Sequence, residues 1–181
     1  MILLHDLRWL YFAPPRTAST SIHRWLQEVY GGERFHTGSH QNQAPPHMPL
    51  AYWWGFTVVR NPYDRLASWH AASTEHRKKS PVEFMEWLMY GEPLRALNPY
   101  ATSSQARFID TSCAARLRGF LVLRWEDLTD CLYDLPFVMP GDLLRLKHLA
   151  KTEEKPEWPA AAIDMVAIHS ADDFRRFGYE L

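Results

Sequence analysis

The chain has two cysteines in 181 residues, Cys113 and Cys131, and they form neither a CxxC pair nor a zinc-ligand set. Two reduced thiols are expected, with a single Cys113–Cys131 bridge as the alternative. There is no run of 18 or more apolar residues, so no membrane span is expected. Net charge is nearly absent: 20 Lys+Arg against 21 Asp+Glu, formally −1, which gives no global pull toward nucleic acid or a membrane. The opening Met1-Ile2-Leu3-Leu4-His5-Asp6 carries an acid where a signal peptide has a basic region. Together these point to a cytoplasmic protein with neither nucleic-acid nor membrane partners. Internal repeats, low-complexity segments and carboxylate clusters of metal-binding pattern are also missing, so no metal is expected.

What is present is the composition of one globular domain over residues 1–181, with 46% hydrophobic and 23% charged residues. Eight Trp and 13 Pro indicate a loop-rich fold with aromatic packing. The charge is unevenly placed. Residues 1–79 hold nine Lys/Arg against five Asp/Glu (+4), and residues 80–181 hold 11 against 16 (−5). This is either scatter over a solvated surface or the trace of an anion site built by the N-terminal half.

Periodicity predicts a buried strand at Trp9 to Ala13. A helix follows, whose Ile22, Trp25, Leu26, Val29 and Tyr30 share one face and which ends at Gly31-Gly32. Arg34 to Thr37 reads as a short strand, 38–49 as a loop and Phe56 to Val59 as a second strong strand. Asn61 is placed to cap the next helix, with Pro62 in its first turn and Tyr63, Leu66, Ala67 and His70 on one face. Ser80-Pro81-Val82-Glu83 is a capping box for a helix to about Tyr90. Residues 91–112 read as an irregular loop over the site. Gly119 to Leu123 reads as a strand covered on both faces, followed by a short helix from Asp127, a charged loop from Lys147 to Pro159, and helices over 160–169 and 172–177. Alternating strands and helices give an α/β fold, a parallel sheet flanked by helices, with ligands expected beyond the strands' carboxyl ends.

Two segments carry the chemistry. Phe12-Ala13-Pro14-Pro15-Arg16-Thr17-Ala18-Ser19-Thr20-Ser21-Ile22 runs from strand through turn into helix, as does Phe56-Thr57-Val58-Val59-Arg60-Asn61-Pro62-Tyr63-Asp64-Arg65-Leu66-Ala67-Ser68. Each directs helix-start N–H groups and a basic side chain at one point, which suits a phosphate. Two such points suit a 3′,5′-bisphosphorylated nucleotide. Ser68 lies eight residues after Arg60, two turns into the helix, so both can face one ligand. The plainer alternative is that Arg60 pairs with Asp64 while Ser68 packs, and that Arg16 is incidental to a capped helix. The GxxxxGK[ST] pattern is absent, which disfavours an ATPase or kinase.

The pair resembles the two nucleotide-binding elements of the sulfotransferases that use 3′-phosphoadenosine 5′-phosphosulfate (PAPS). Pro15-Arg16-Thr17-Ala18-Ser19-Thr20 is similar to the family's 5′-phosphosulfate loop, with Arg16 where many members have Lys. Val59-Arg60-Asn61-Pro62-Tyr63-Asp64-Arg65 with Ser68 is similar to its 3′-phosphate element. More weakly, Leu123-Arg124-Trp125-Glu126-Asp127-Leu128 and Asp172-Asp173-Phe174-Arg175-Arg176-Phe177-Gly178-Tyr179 resemble later motifs, the second that of the carbohydrate-modifying branch. The resemblance implies a P-loop-nucleotide-hydrolase-like sulfotransferase fold. It also implies PAPS as donor, adenosine 3′,5′-bisphosphate as product, and an acceptor hydroxyl, with carbohydrate favoured. Arg16, Thr17, Ala18, Ser19 and Thr20 would then hold the 5′-phosphosulfate, and Arg60 and Ser68 the 3′-phosphate.

Sulfuryl transfer needs a cation at the leaving oxygen, for which Arg16 is the candidate, and a base at the acceptor hydroxyl. Family spacing implies His40, 20 residues before Arg60. His36, His47 and Glu126 are the runners-up. Gln105 resembles a family element near the acceptor. Lys147, His148, Lys151 and Thr152 lie in a loop that is either solvated or closes over the nucleotide. Trp53-Trp54 either packs beneath the site or stacks an adenine. Two further readings stand beside the transferase: a non-catalytic nucleotide-binding module, and an ATP-dependent phosphotransferase.

Overall fold

Four residues separate Leu4 from Trp9, too few for a crossover, so the first two strands of the computed structural model pair antiparallel. These are β1 (Ile2–Leu4) and β2 (Trp9–Phe12). The structure describes residues 1–35, 42–91, 103–147 and 157–181. β2 leads into α1 (Ser19–Tyr30), which carries the chain back over the sheet. After β3 (Glu33–Arg34) comes β4 (Trp54–Val59), which pairs parallel with β2. Then follow α2 (Pro62–His70), α3 (Thr74–Arg77), α4 (Pro81–Tyr90) and α5 (Gln105–Asp110). β5 (Gly119–Arg124) pairs parallel with β4 and is followed by α6 (Leu128–Leu132), α7 (Ala160–His169) and α8 (Ala171–Phe177). The sheet order is β3-β1-β2-β4-β5.

The protein is thus an α/β fold with a five-stranded mixed sheet flanked by helices. The expected parallel sheet is confined to β2, β4 and β5; the hairpin β1 and the short β3 add two antiparallel pairings. β5 also departs from expectation. Its apolar run implies cover on both faces, yet of its residues only Leu123 is buried. It borders β4 alone and ends the described sheet, so Val122 reaches solvent. Residues 105–110, read as irregular, form α5, capped by Ser104 Oγ accepting from the Arg107 N–H.

Alternation along the strands splits the core. Trp9, Tyr11, Phe56 and Val58 face α1, where Ile22, Trp25 and Leu26 are fully covered and Val29 and Tyr30 pack beside them. Each such side chain contributes about 1.5–3 kcal/mol by leaving water. Tyr11 stacks on Phe56 and Trp9 on Trp54 across the β2–β4 register. Leu10 and Phe12 point to the opposite face, onto Trp53 and Phe108. On that side Leu66, Phe84, Met85, Leu88 and Val166 join α2, α4 and α7. At Gly119 a Cβ would lie 2.2 Å from the Trp54 ring, so any larger residue there must displace that indole.

The helix ends follow the sequence. Gly31 closes α1 in the left-handed conformation at φ 64. Asn61 Oδ1 accepts from the Tyr63 and Asp64 N–H groups. Ser80 and Glu83 form the reciprocal capping box. Cys113 and Cys131 are free thiols, and burial pushes the Cys113 thiol up. Among the described residues no helix is long and apolar enough to cross a membrane.

Candidate functional site

β2 and β4 run side by side to one end of the sheet, where Thr57 donates from Oγ1 to the Phe12 carbonyl at 2.9 Å. The chain leaves β2 there as a tight, buried loop, 13–18. Thr17 is fully buried and donates to the Pro14 carbonyl at 2.9 Å, which closes the loop on itself. Arg16 and Ala18 both adopt left-handed backbone, at φ 69 and 61. Such conformations are unfavourable for residues with a Cβ and persist where surroundings enforce them. Ala18 offers no side-chain cap to α1. The first-turn N–H groups of a helix have no intrahelical acceptor, and they carry the positive end of its dipole.

The second loop is held from three sides. Gln105, fully buried, accepts from the Arg60 N–H at 2.8 Å and donates to the Arg60 carbonyl at 2.9 Å. Its own amide donates to Asp173 at 3.1 Å, and the Asp173 carboxylate also accepts from the N–H groups of Gln105 and Ala106. Glu126 accepts from the Asn61 N–H at 2.7 Å and from the Tyr179 hydroxyl at 2.9 Å. Burial and the Glu126 charge push the Tyr179 phenol up. Arg65, fully buried, donates to the Pro15 carbonyl and to the Ser103 carbonyl, each at 3.1 Å. Burial pushes its guanidinium down to about 10, against the stabilising Asp173 charge. Arg65 therefore ties the first loop to α2.

The two loops meet through their cations. Arg16 donates to Ser68 Oγ from Nη2 at 3.0 Å and from Nε at 3.3 Å, across 52 residues of sequence. The Arg60 Nη1 donates to the Arg16 carbonyl at 3.5 Å. The Arg60 guanidinium lies 4.0 Å over the ring of Trp125, and the Asp64 carboxylate stabilises its charge. Arg60 is 8% exposed, and among the described residues its buried Nε has no hydrogen-bond partner. Burial lowers the pKa of Arg16, and Arg60 lowers it further by repulsion. Burial lowers that of Arg60 too, partly offset by Asp64, Glu126 and Tyr179. Two partly desolvated cations that repel each other at the carboxyl end of parallel strands are both relieved by a bound anion.

Of the residues singled out in the sequence, Arg16, Thr17, Ala18, Ser19 and Thr20 lie at the β2–α1 turn, and Arg60 and Ser68 at the β4–α2 turn and helix. The Thr17 hydroxyl is spent inside its loop. Gln105 fixes the Arg60 backbone, and both Glu126 oxygens accept structural hydrogen bonds. Trp53 and Trp54 pack at the amino end of β4, the far end of the sheet, which removes them from the site. His47 is exposed with φ 70. Lys147 is exposed; His36, His40, His148, Lys151 and Thr152 lie outside the described residues. Among the described residues no cluster of three or more His, Cys, Asp or Glu could hold a metal.

Sequence reasoning missed the roles of Trp125, Arg65, Gln105 and Asp173. Arg65 carried a signal, since it precedes Ser68 by one helical turn and shares its face. The Gln105–Asp173 contact spans 68 residues and leaves no local pattern. Comparison with known proteins gives no matching family model, no matching curated protein and no matching solved structure.

Proposed function

We propose that the protein is a sulfotransferase of P-loop-like fold that moves a sulfuryl group from PAPS to an acceptor hydroxyl, with carbohydrate the favoured acceptor. The observation that carries this reading is the convergence of Arg16, Ser68 and Arg60, from two separate strand-to-helix turns, at one end of the parallel strands. A nucleotide phosphorylated at two positions meets both turns at once. Arg60 and Ser68 take the 3′-phosphate, and the helix start at Ala18, Ser19 and Thr20 with Arg16 takes the 5′-phosphosulfate, Thr17 holding the shape of that loop through its hydroxyl.

In the transfer the acceptor oxygen attacks sulfur in line. The new O–S bond forms as the S–O bond to the 5′-phosphate breaks, and the acceptor proton passes to a base. Arg16 stabilises the charge gained by the leaving phosphate oxygen. In the structure its guanidinium rests on Ser68, so a phosphate bound by Ser68 and Arg60 competes for that hydroxyl and frees Arg16 to turn toward the donor. His40 is the proposed base. The test is donor turnover: PAPS with a panel of sugar acceptors, measuring the release of adenosine 3′,5′-bisphosphate. Arg16→Ala is expected to lower the rate by about 10²–10³. His40→Ala is expected to remove acceptor-dependent transfer while leaving bisphosphate affinity intact. Bisphosphate binding without turnover on any acceptor would replace the transferase by a binding module.

A further inference from the structure

Arg60 is held in an unusual way for a buried cation. The common partner of a buried guanidinium is a carboxylate, which takes its N–H donors. Here the partner is the π face of Trp125, at 4.0 Å. Stacking engages the flat face of the guanidinium and leaves its in-plane donors unspent. Among the described residues the guanidinium makes one long hydrogen bond, to the Arg16 carbonyl at 3.5 Å, and its buried Nε has none. A side chain 8% exposed with an unmet donor is costly unless something else meets it. The backbone beneath is fixed independently by Gln105, so the indole settles only the side chain. The same segment is anchored beyond Trp125, where its N–H donates to the Val59 carbonyl at 2.8 Å. The ring thus sits on the strand end adjoining Arg60.

We propose that Trp125 is a positioning residue that presents the Arg60 guanidinium edge-on to a phosphate of the ligand, while shielding its face from water. This rests on the reading of Arg60 as the 3′-phosphate contact. Trp125→Leu keeps apolar bulk and removes the π face; Trp125→Phe keeps a weaker one.

The experiment is calorimetric titration of wild type, both variants, Arg60→Ala and the Arg60→Ala/Trp125→Leu double variant with adenosine 3′,5′-bisphosphate and with adenosine 5′-monophosphate, thermal melts being recorded alongside. Trp125→Leu is expected to weaken bisphosphate binding by about threefold to thirtyfold. It should leave the monophosphate affinity within about twofold, with partial recovery in Trp125→Phe. The loss should also vanish in the Arg60→Ala background. Equal losses for both nucleotides would overturn the proposal, because they would mark Trp125 as a base platform or a general support. If wild type binds no bisphosphate, the donor reading fails, and inorganic phosphate becomes the probe for Trp125. Weaker phosphate binding in Trp125→Leu than in wild type would still uphold the positioning role. Equal phosphate affinity, or none in wild type, would overturn it.

Discussion

Replacing Gln105 by Glu exchanges one heavy atom of a buried side chain, Nε2 for oxygen, with almost no change in volume, yet it should be among the most damaging substitutions in the molecule. The Gln105 amide donates to the Arg60 carbonyl at 2.9 Å and to Asp173 at 3.1 Å. A carboxylate there turns both donors into acceptors facing acceptors. Two carboxylate charges 3.1 Å apart repel by about 5 kcal/mol at an effective dielectric near 20. That compares with a total stability of about 5–15 kcal/mol for a typical domain. The protein can limit the cost by protonating the introduced carboxyl, which restores one donor. Its folded pKa is then raised above the unfolded value. Stability is fully present below the unfolded value and lost as pH rises through the folded one. Urea denaturation should therefore give a Gln105→Glu midpoint below that of wild type throughout, because one donor stays missing, with the gap smaller at about pH 4 and much wider at about pH 8. Matching midpoints at pH 8 would refute the claim that this amide clamps the Arg60 backbone.

Other consequences follow from the same geometry. Arg60→Ala removes the proposed charge-assisted contact to the 3′-phosphate and should weaken bisphosphate binding by about 1.5–3 kcal/mol, read by calorimetry; unchanged affinity would exclude Arg60 from the site. Gly119→Ala places a methyl 2.2 Å from the Trp54 ring and should cost about 1–3 kcal/mol in a thermal or urea melt. Asn61→Ala removes the cap of α2, for a loss of about 1 kcal/mol in the same assay. Hydrogen bonds from Ser80 hold the Glu83 carboxyl below its ordinary 4.5. Its stabilisation is present above that value and lost as pH falls through the depressed one, so wild type should lose more of its urea midpoint on acidification than Glu83→Gln.

Local signals account for much of the fold. The apolar face of α1, the αL stop at Gly31, the Asn61 cap and the Ser80–Glu83 box are read from residues three or four apart, and each is present in the structure. What local patterns do not carry is pairing. β1 is three residues long, too short for a periodic signal, and its hairpin with β2 is what makes the sheet mixed. The apolar run of β5 gives no sign that it ends the described sheet, because an edge is set by the absence of a neighbour. At the site the two turns were legible as strand, basic residue and helix start. Their contact was not: Arg16 and Ser68 meet only because β2 and β4 lie side by side with Phe12 opposite Thr57. The supports around Arg60 come from Gln105, Trp125 and Asp173, which are distant from it in sequence, so that their contacts leave no local pattern.

The proposed role of the Arg16–Ser68–Arg60 meeting point is to hold a nucleotide phosphorylated at both the 3′ and 5′ positions. Calorimetric titration with adenosine 3′,5′-bisphosphate, set against ATP with Mg²⁺, tests it most directly. Tight binding of the bisphosphate without metal is expected, with little or no binding of Mg-ATP. Binding of Mg-ATP and not the bisphosphate would contradict it and assign both turns to a phosphotransferase instead.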